Sequence, residues 1–182
     1  SATMATPPPG DVARRLELAD DLAVALAFLY GAHLCGHDGV AAVDLAGLVR
    51  SRWDEALGRG TLAARGVVRW RGSRARLEPA VTDVLDELPP RLGALIASPA
   101  TSPGGVVAIV ADEEPDLAEL GAWLAPQLGP ILVPNAAGRA RPARFLLEAR
   151  ARGATPLVPG PAPDPLPAVA VVLVDDDATA RA

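Results

Sequence analysis

The chain contains no lysine; all 17 of its basic residues are arginine. That absence excludes Schiff-base chemistry, a P-loop lysine and a Ser-Lys dyad. Cysteine is nearly absent too. Cys35 stands alone, so no internal disulfide framework can form, which fits a reducing compartment. Aromatic residues make up only 3% of the chain, so any core must be aliphatic and built from Leu and Val. The longest apolar run, Leu22 to Ala32, falls short of the roughly 20 residues that span a bilayer. The opening stretch SATMATPPPG has neither the basic region nor the apolar run of a signal peptide. No nucleophile–base pair and no cofactor fingerprint is present. The expectation is a cytoplasmic protein with no membrane segment, no cofactor and no catalytic activity.

What the chain does have is uneven charge. The total is −5, but residues 50–76 carry eight arginines against Asp54 and Glu55, a local +6. Residues 77–138 carry Arg91 against nine acids, a local −8, and residues 139–152 five arginines against Glu148, a local +4. Such asymmetry says more about partners than the total does.

Apolar spacing predicts a long helix over 11–34, with Leu16, Leu22, Leu26, Leu29 and Tyr30 on one face. Gly36 and Gly39 end it. Asp44 then caps a second helix, LAGLVRSRW, and a third runs from about Asp54 to Ala64, stopped by Gly66. Next come VVRW, a turn RGSR and ARLEP, a hairpin in pattern. AVTDVLDEL is a short helix closed by Pro89 and Pro90. The ordered set Asp44-Leu45-Ala46, Gly66-Val67-Val68 and Arg76-Leu77-Glu78-Pro79-Ala80 resembles a winged helix-turn-helix of the regulator type, over roughly 11–88. The resemblance implies that the hairpin is a wing and that the helix before it meets DNA.

After the linker SPATSPGG, a second pattern begins. VVAIVA (106–111), PILVP (130–134) and AVAVVLV (168–174) read as strands, and EPDLAELGAWLAPQL and RPARFLLEARARG as helices. Leu117, Leu120, Trp123 and Leu124 are expected on the inner side of the first of these helices, and 156–167 is expected to be a Pro-rich loop. Alternation of this kind implies a small parallel sheet. VVAIVADEEPDLAELGAWL resembles the opening of a response-regulator receiver domain. That likeness would put Asp112 and Glu113 at a metal-binding pair and Asp175 at the phosphoacceptor. The interval from Asp112 to Asp175 is longer than in that family, and the lysine it needs is missing, so a complete phosphotransfer site is not expected.

The candidate DNA contacts are Arg50, Arg52, Arg59, Arg65, Arg69, Arg71, Arg74 and Arg76, because guanidinium forks match phosphate oxygens and release condensed counterions. Asp54 and Glu55 oppose this, lying where the recognition helix should approach phosphate. His33, Cys35, His37 and Asp38 cluster in HLCGHDG, but their spacing fits no usual zinc pattern, and a helix end is the simpler account. Asp112, Glu113 and Asp175 are the remaining candidates for a divalent metal, against the plainer role of solubilising strand ends and capping the next helix. The arginines of GRARPAR, with Arg150 and Arg152, read as a solvated face, and the three tryptophans as core.

Together these readings give a two-part α/β chain. A leader (1–10) precedes a winged helix over 11–90, mostly α with a β-hairpin wing. A linker (91–105) leads to a small C-terminal parallel α/β sheet of three or four strands over 106–177, then a tail (178–182). The expected role is that of a DNA-binding transcription regulator whose second half dimerises or senses a signal. The alternative is a non-catalytic adaptor, a subunit that uses the same folds to bind protein. Duplex DNA, a second copy or another protein are the partners these readings allow.

Overall fold

The computed structural model describes residues 8–49, 53–98, 106–110, 115–160 and 170–174. Chain contacts divide it into two units, 1–89 and 90–182.

The first unit opens with α1 (Pro8–Arg15) and α2 (Asp20–Leu34), where the apolar spacing predicts a single helix over 11–34. Glu17 makes the break. Its φ of 52° is left-handed, its N–H donates to the Arg14 carbonyl, and the Leu18 N–H donates to the Ala13 carbonyl, each at 3.0 Å. This is a Schellman closure, normally built on glycine, so nothing in the residue type signals the stop. The last three residues of the expected leader are helical as well. Prolines in a first turn lose no intrahelical hydrogen bond.

β1 (Val40–Ala41) runs directly into α3 (Ala42–Leu48), followed by α4 (Trp53–Ala56) and α5 (Thr61–Ala64). The helix expected over 45–53 therefore starts earlier and stops at Leu48. The one expected over 54–64 is two single turns. Gly58, at φ 74°, closes the first, with Gly58 N–H on the Glu55 carbonyl and Arg59 N–H on that of Asp54. The strands β2 (Val68–Arg71) and β3 (Arg74–Leu77) form the expected hairpin, and α6 (Pro79–Leu85) follows. The sheet is antiparallel in the order β1-β3-β2. Leu16, Leu22, Leu26, Leu45, Leu62, Val67 and Val81 are buried at its centre, an aliphatic core in which each side chain contributes on the order of 1.5–3 kcal/mol.

The second unit is a mixed five-stranded sheet in the order β4-β6-β7-β8-β5. Its strands are β4 (Gly93–Ile96), β5 (Val106–Val110), β6 (Ile131–Pro134), β7 (Thr155–Val158) and β8 (Ala170–Val174). The expected all-parallel sheet of three or four strands is thus corrected twice. β4 lies inside the expected linker and pairs antiparallel with β6 at the edge. β7 occupies the start of the expected Pro-rich loop and sits centrally, parallel to both β6 and β8. Pro156 hides it from a sequence reading, since a proline argues against a central strand. Among the described strands β5 pairs with β8 alone. A receiver sheet places its first strand between the second and third, whereas here β7 and β8 separate β5 from β6.

Side chains alternate between the two faces of this sheet. Ile131, Val133, Leu157 and Val171 pack with Leu117 and Leu124 of α7 (Leu117–Leu128). Leu132 packs on the other face with Phe145 and Ala149 of α9 (Pro142–Arg152), which follows the short α8 (Ala136–Ala140). Burial on both faces explains strands that read as unbroken apolar runs. Gly121 lets α7 approach closely, because a Cβ there would lie 2.6 Å from Ile96. Trp123 is not on the inner side of α7; it is 63% exposed. No described helix is long and apolar enough to cross a membrane.

Candidate nucleic-acid interface

The hairpin places four guanidinium groups on one face. Arg69 pairs with Arg76 and Arg71 with Arg74 across the ladder, and residues two apart in a strand share a face. Val68, Ala75 and Leu77 turn inward to the core. The Gly72-Ser73 turn makes this register possible, with Gly72 at φ 60° in the first central position, as a type II′ turn requires. Like charges directly opposite one another destabilise a sheet, so this face needs anions.

Two carboxylates supply part of them. Glu78, almost fully buried, lies 3.0 Å from Arg69. Asp38, in the loop after α2, lies 3.2 Å from Arg76 and 3.8 Å from Arg71. Main-chain carbonyls engage the fourth arginine. Arg74 donates to the Asp38 carbonyl at 3.2 Å and the Gly39 carbonyl at 2.7 Å. Among the described residues, four guanidinium groups meet two carboxylates at this face, a surplus of two positive charges. Arg71 is 75% exposed, against 37% for Arg69 and 40% for Arg76. A cleft of about 190 Å³ lies at the foot of this face, lined by Arg69, Arg76, His33, His37 and Thr82 among others.

The remaining candidates separate. Arg65 is exposed, and its guanidinium donates to the Leu16 and Glu17 carbonyls at the end of α1. Arg59 is exposed in the connection between α4 and α5. Arg50 and Arg52 lie outside the described residues. The acids expected to repel DNA behave differently from each other. Asp54 is exposed, while Glu55 is buried and accepts the Leu62 N–H at 3.0 Å. Glu55 therefore serves the N-terminus of α5 instead of opposing a ligand. A single-turn α5 spans only about 6 Å, too little to present several side chains to base edges.

HLCGHDG is a helix terminus. No group of three metal-ligating side chains occurs among the described residues. His33 stacks on Tyr30 and lies 3.2 Å from Asp86 Oδ2. The Tyr30 hydroxyl donates to Asp86 Oδ1 at 2.8 Å. Burial, then this hydrogen bond, push the phenol up to about 12. Asp112, Glu113 and Asp175 lie outside the described residues. Their neighbour Asp116 caps α7, accepting from Ala118 N–H and Glu119 N–H. In the second basic stretch Arg152 is not solvated. It is 10% exposed and lies 3.3 Å from the fully buried Glu148, which also accepts the Arg91 and Leu92 N–H groups at 2.9 Å. Comparison with family models, curated proteins and solved structures returned no match.

Sequence reasoning finds the arginines of this face but misses Asp38 and Gly39 as their partners. The loop reaches them only because β1 returns to pair with β3, placing Val40 opposite Ala75 and Ala41 opposite Arg74. A two-residue strand carries no detectable pattern of its own.

Proposed function

We propose that the first unit is a winged helix that grips the phosphate backbone of duplex DNA, and that the chain is a non-catalytic transcription regulator whose second unit dimerises or senses a signal. The observation that carries this reading is the arginine face of the hairpin, with four guanidinium groups in cross-strand register and two carboxylates to meet them. The order of helices around a β1-β3-β2 antiparallel sheet supports it. Because α5 is a single turn, the hairpin supplies most of the affinity and little of it depends on sequence.

The test is fluorescence anisotropy of a short random duplex across a salt series. Wild type should bind with a steep dependence of log K on log salt. Arg71→Ala should weaken binding and flatten the slope by about one unit, the contribution of one phosphate contact. A wild-type protein that fails to bind even at the lowest salt removes this reading.

A second reading is favoured by a different observation. Val24 and Phe28 stand one turn apart on α2, both exposed, as are Leu34, Val43 and Leu57. Exposed apolar side chains of this size suit protein contact, as in an adaptor that uses the same fold without DNA.

A further inference from the structure

We propose that Asp38 is a tethered stand-in for a phosphate group, an autoinhibitory acid that occupies the arginine face until a polyanion displaces it. This inference rests on the phosphate-binding reading above and adds its regulation.

The geometry is that of a seated ligand. One carboxylate reaches Arg76 at 3.2 Å and Arg71 at 3.8 Å, one guanidinium on each strand of the hairpin. The carbonyls of Asp38 and Gly39 take the donors of Arg74. A phosphate approaching the hairpin would compete for the same N–H groups, since guanidinium forks accept either anion. Glycines flank the acid on both sides. Gly36 and Gly39 have φ values of 77° and 88°, and a Cβ on Gly39 would lie 2.6 Å from the Ala75 carbonyl oxygen. Only glycine lets the loop lie this close to β3. Tethering keeps the acid at high local concentration beside its partners.

Asp38 is also built to leave. Its side chain is 68% exposed, whereas Glu78 on the same face is 6% exposed. An exposed ion pair contributes little and is readily replaced. The two acids thus have separate roles. Glu78 fixes Arg69 permanently, and Asp38 screens Arg71 and Arg76 reversibly. A surface carrying its own acid discriminates against weak or isolated anions and favours a ligand that presents several phosphates together.

The experiment compares the full-length wild type with Asp38→Asn and, as a charge control, Asp20→Asn, using the same duplex and salt series. Asp20 starts α2, a helix about 22 Å long, so at 0.1 M salt it lies beyond the Debye length of about 10 Å from the loop at its other end. Asp38→Asn should bind about two- to fivefold more tightly, the range for releasing an exposed ion pair, with a salt slope steeper by about one unit. Asp20→Asn should match wild type. Circular dichroism melting checks that all three fold alike. If wild type binds and Asp38→Asn binds no better, or Asp20→Asn gains as much, the autoinhibitory role is overturned while the phosphate reading stands. If neither wild type nor Asp38→Asn binds at any salt concentration, both fall. Binding by Asp38→Asn without binding by wild type removes the proposed function of the native chain, and with it the inference.

Discussion

Glu55 Oε2 accepts the backbone N–H of Leu62 at 3.0 Å, so a buried carboxylate from one short helix closes the start of the next. Gly60 precedes α5, and a Cβ there would run into the Glu55 carboxyl group. Two single turns separated by glycines are weak on propensity alone, and this contact is what joins them.

Glu55→Ala should destabilise the first unit by roughly 1–3 kcal/mol, the cost of leaving a buried donor unsatisfied. Gly60→Ala should destabilise by a similar route, because the carboxylate must move aside. The two changes together should cost less than their sum, since both remove one interaction. Urea denaturation of the four proteins measures the cycle, and simple additivity would refute the shared mechanism.

Glu148→Ala should have a larger effect. It would remove the acceptor of two backbone N–H groups and the buried carboxylate beside a guanidinium that is 10% exposed. Breaking a buried pair of this kind costs about 3–5 kcal/mol. Denaturant unfolding of the second unit reads the loss, and a change below about 1 kcal/mol would mean that water reaches these groups.

Tyr30 gives a pH prediction with a definite sign. Its phenol is raised from 10.0 to about 12, by burial first and by Asp86 second. The folded state therefore holds its proton where the unfolded chain releases it. The resulting stability is fully present below pH 10 and is lost as pH rises through about 12. Tyr30 is the only tyrosine in the chain, so tyrosinate absorbance follows it alone. Asp86→Ala should move that titration back toward 10, and an unmoved curve would remove Asp86 from the account.

Glu87 ends α6 with a φ of 56°, and the Leu88 N–H reaches back to the Asp83 carbonyl at 2.8 Å. Glycine adopts this conformation without the cost of about 1–2 kcal/mol that other residues bear. Glu87→Gly should raise the melting temperature, offset in part by the greater freedom of glycine in the unfolded chain. A lower melting temperature would point to a contact made by the side chain.

How much of this is legible in sequence follows from the range of each signal. The hairpin reads plainly, because strand alternation and a Gly-Ser turn are local. Its four arginines fall on one face by period alone. Gly66 and Gly153 announce helix ends, while Glu17 and Glu87 end helices in the same conformation and announce nothing. β4 is four residues at a sheet edge, and β7 contains Pro156, so both lack the expected pattern. Trp123 sits among apolar residues and is still exposed, because helical period places it one step off the buried stripe of Leu117, Gly121 and Leu124. The pairings of Asp38, Glu55 and Glu148 depend on tertiary return of the chain. Arg91 and Glu148, for example, are 57 positions apart.

The strand order of the second sheet bears on how the unit comes to exist during synthesis. β5 is made early, yet among the described strands its neighbour is β8, with Val106 opposite Ala170. Until β8 has left the ribosome, β5 lacks the ladder it joins and remains an apolar segment in search of an edge. Closure of so long a loop is slow, and an unpaired apolar strand invites pairing with other chains. β8 is thus the piece that turns a nascent, association-prone intermediate into a finished sheet, and chains interrupted before residue 170 should accumulate as aggregates rather than as smaller folded proteins.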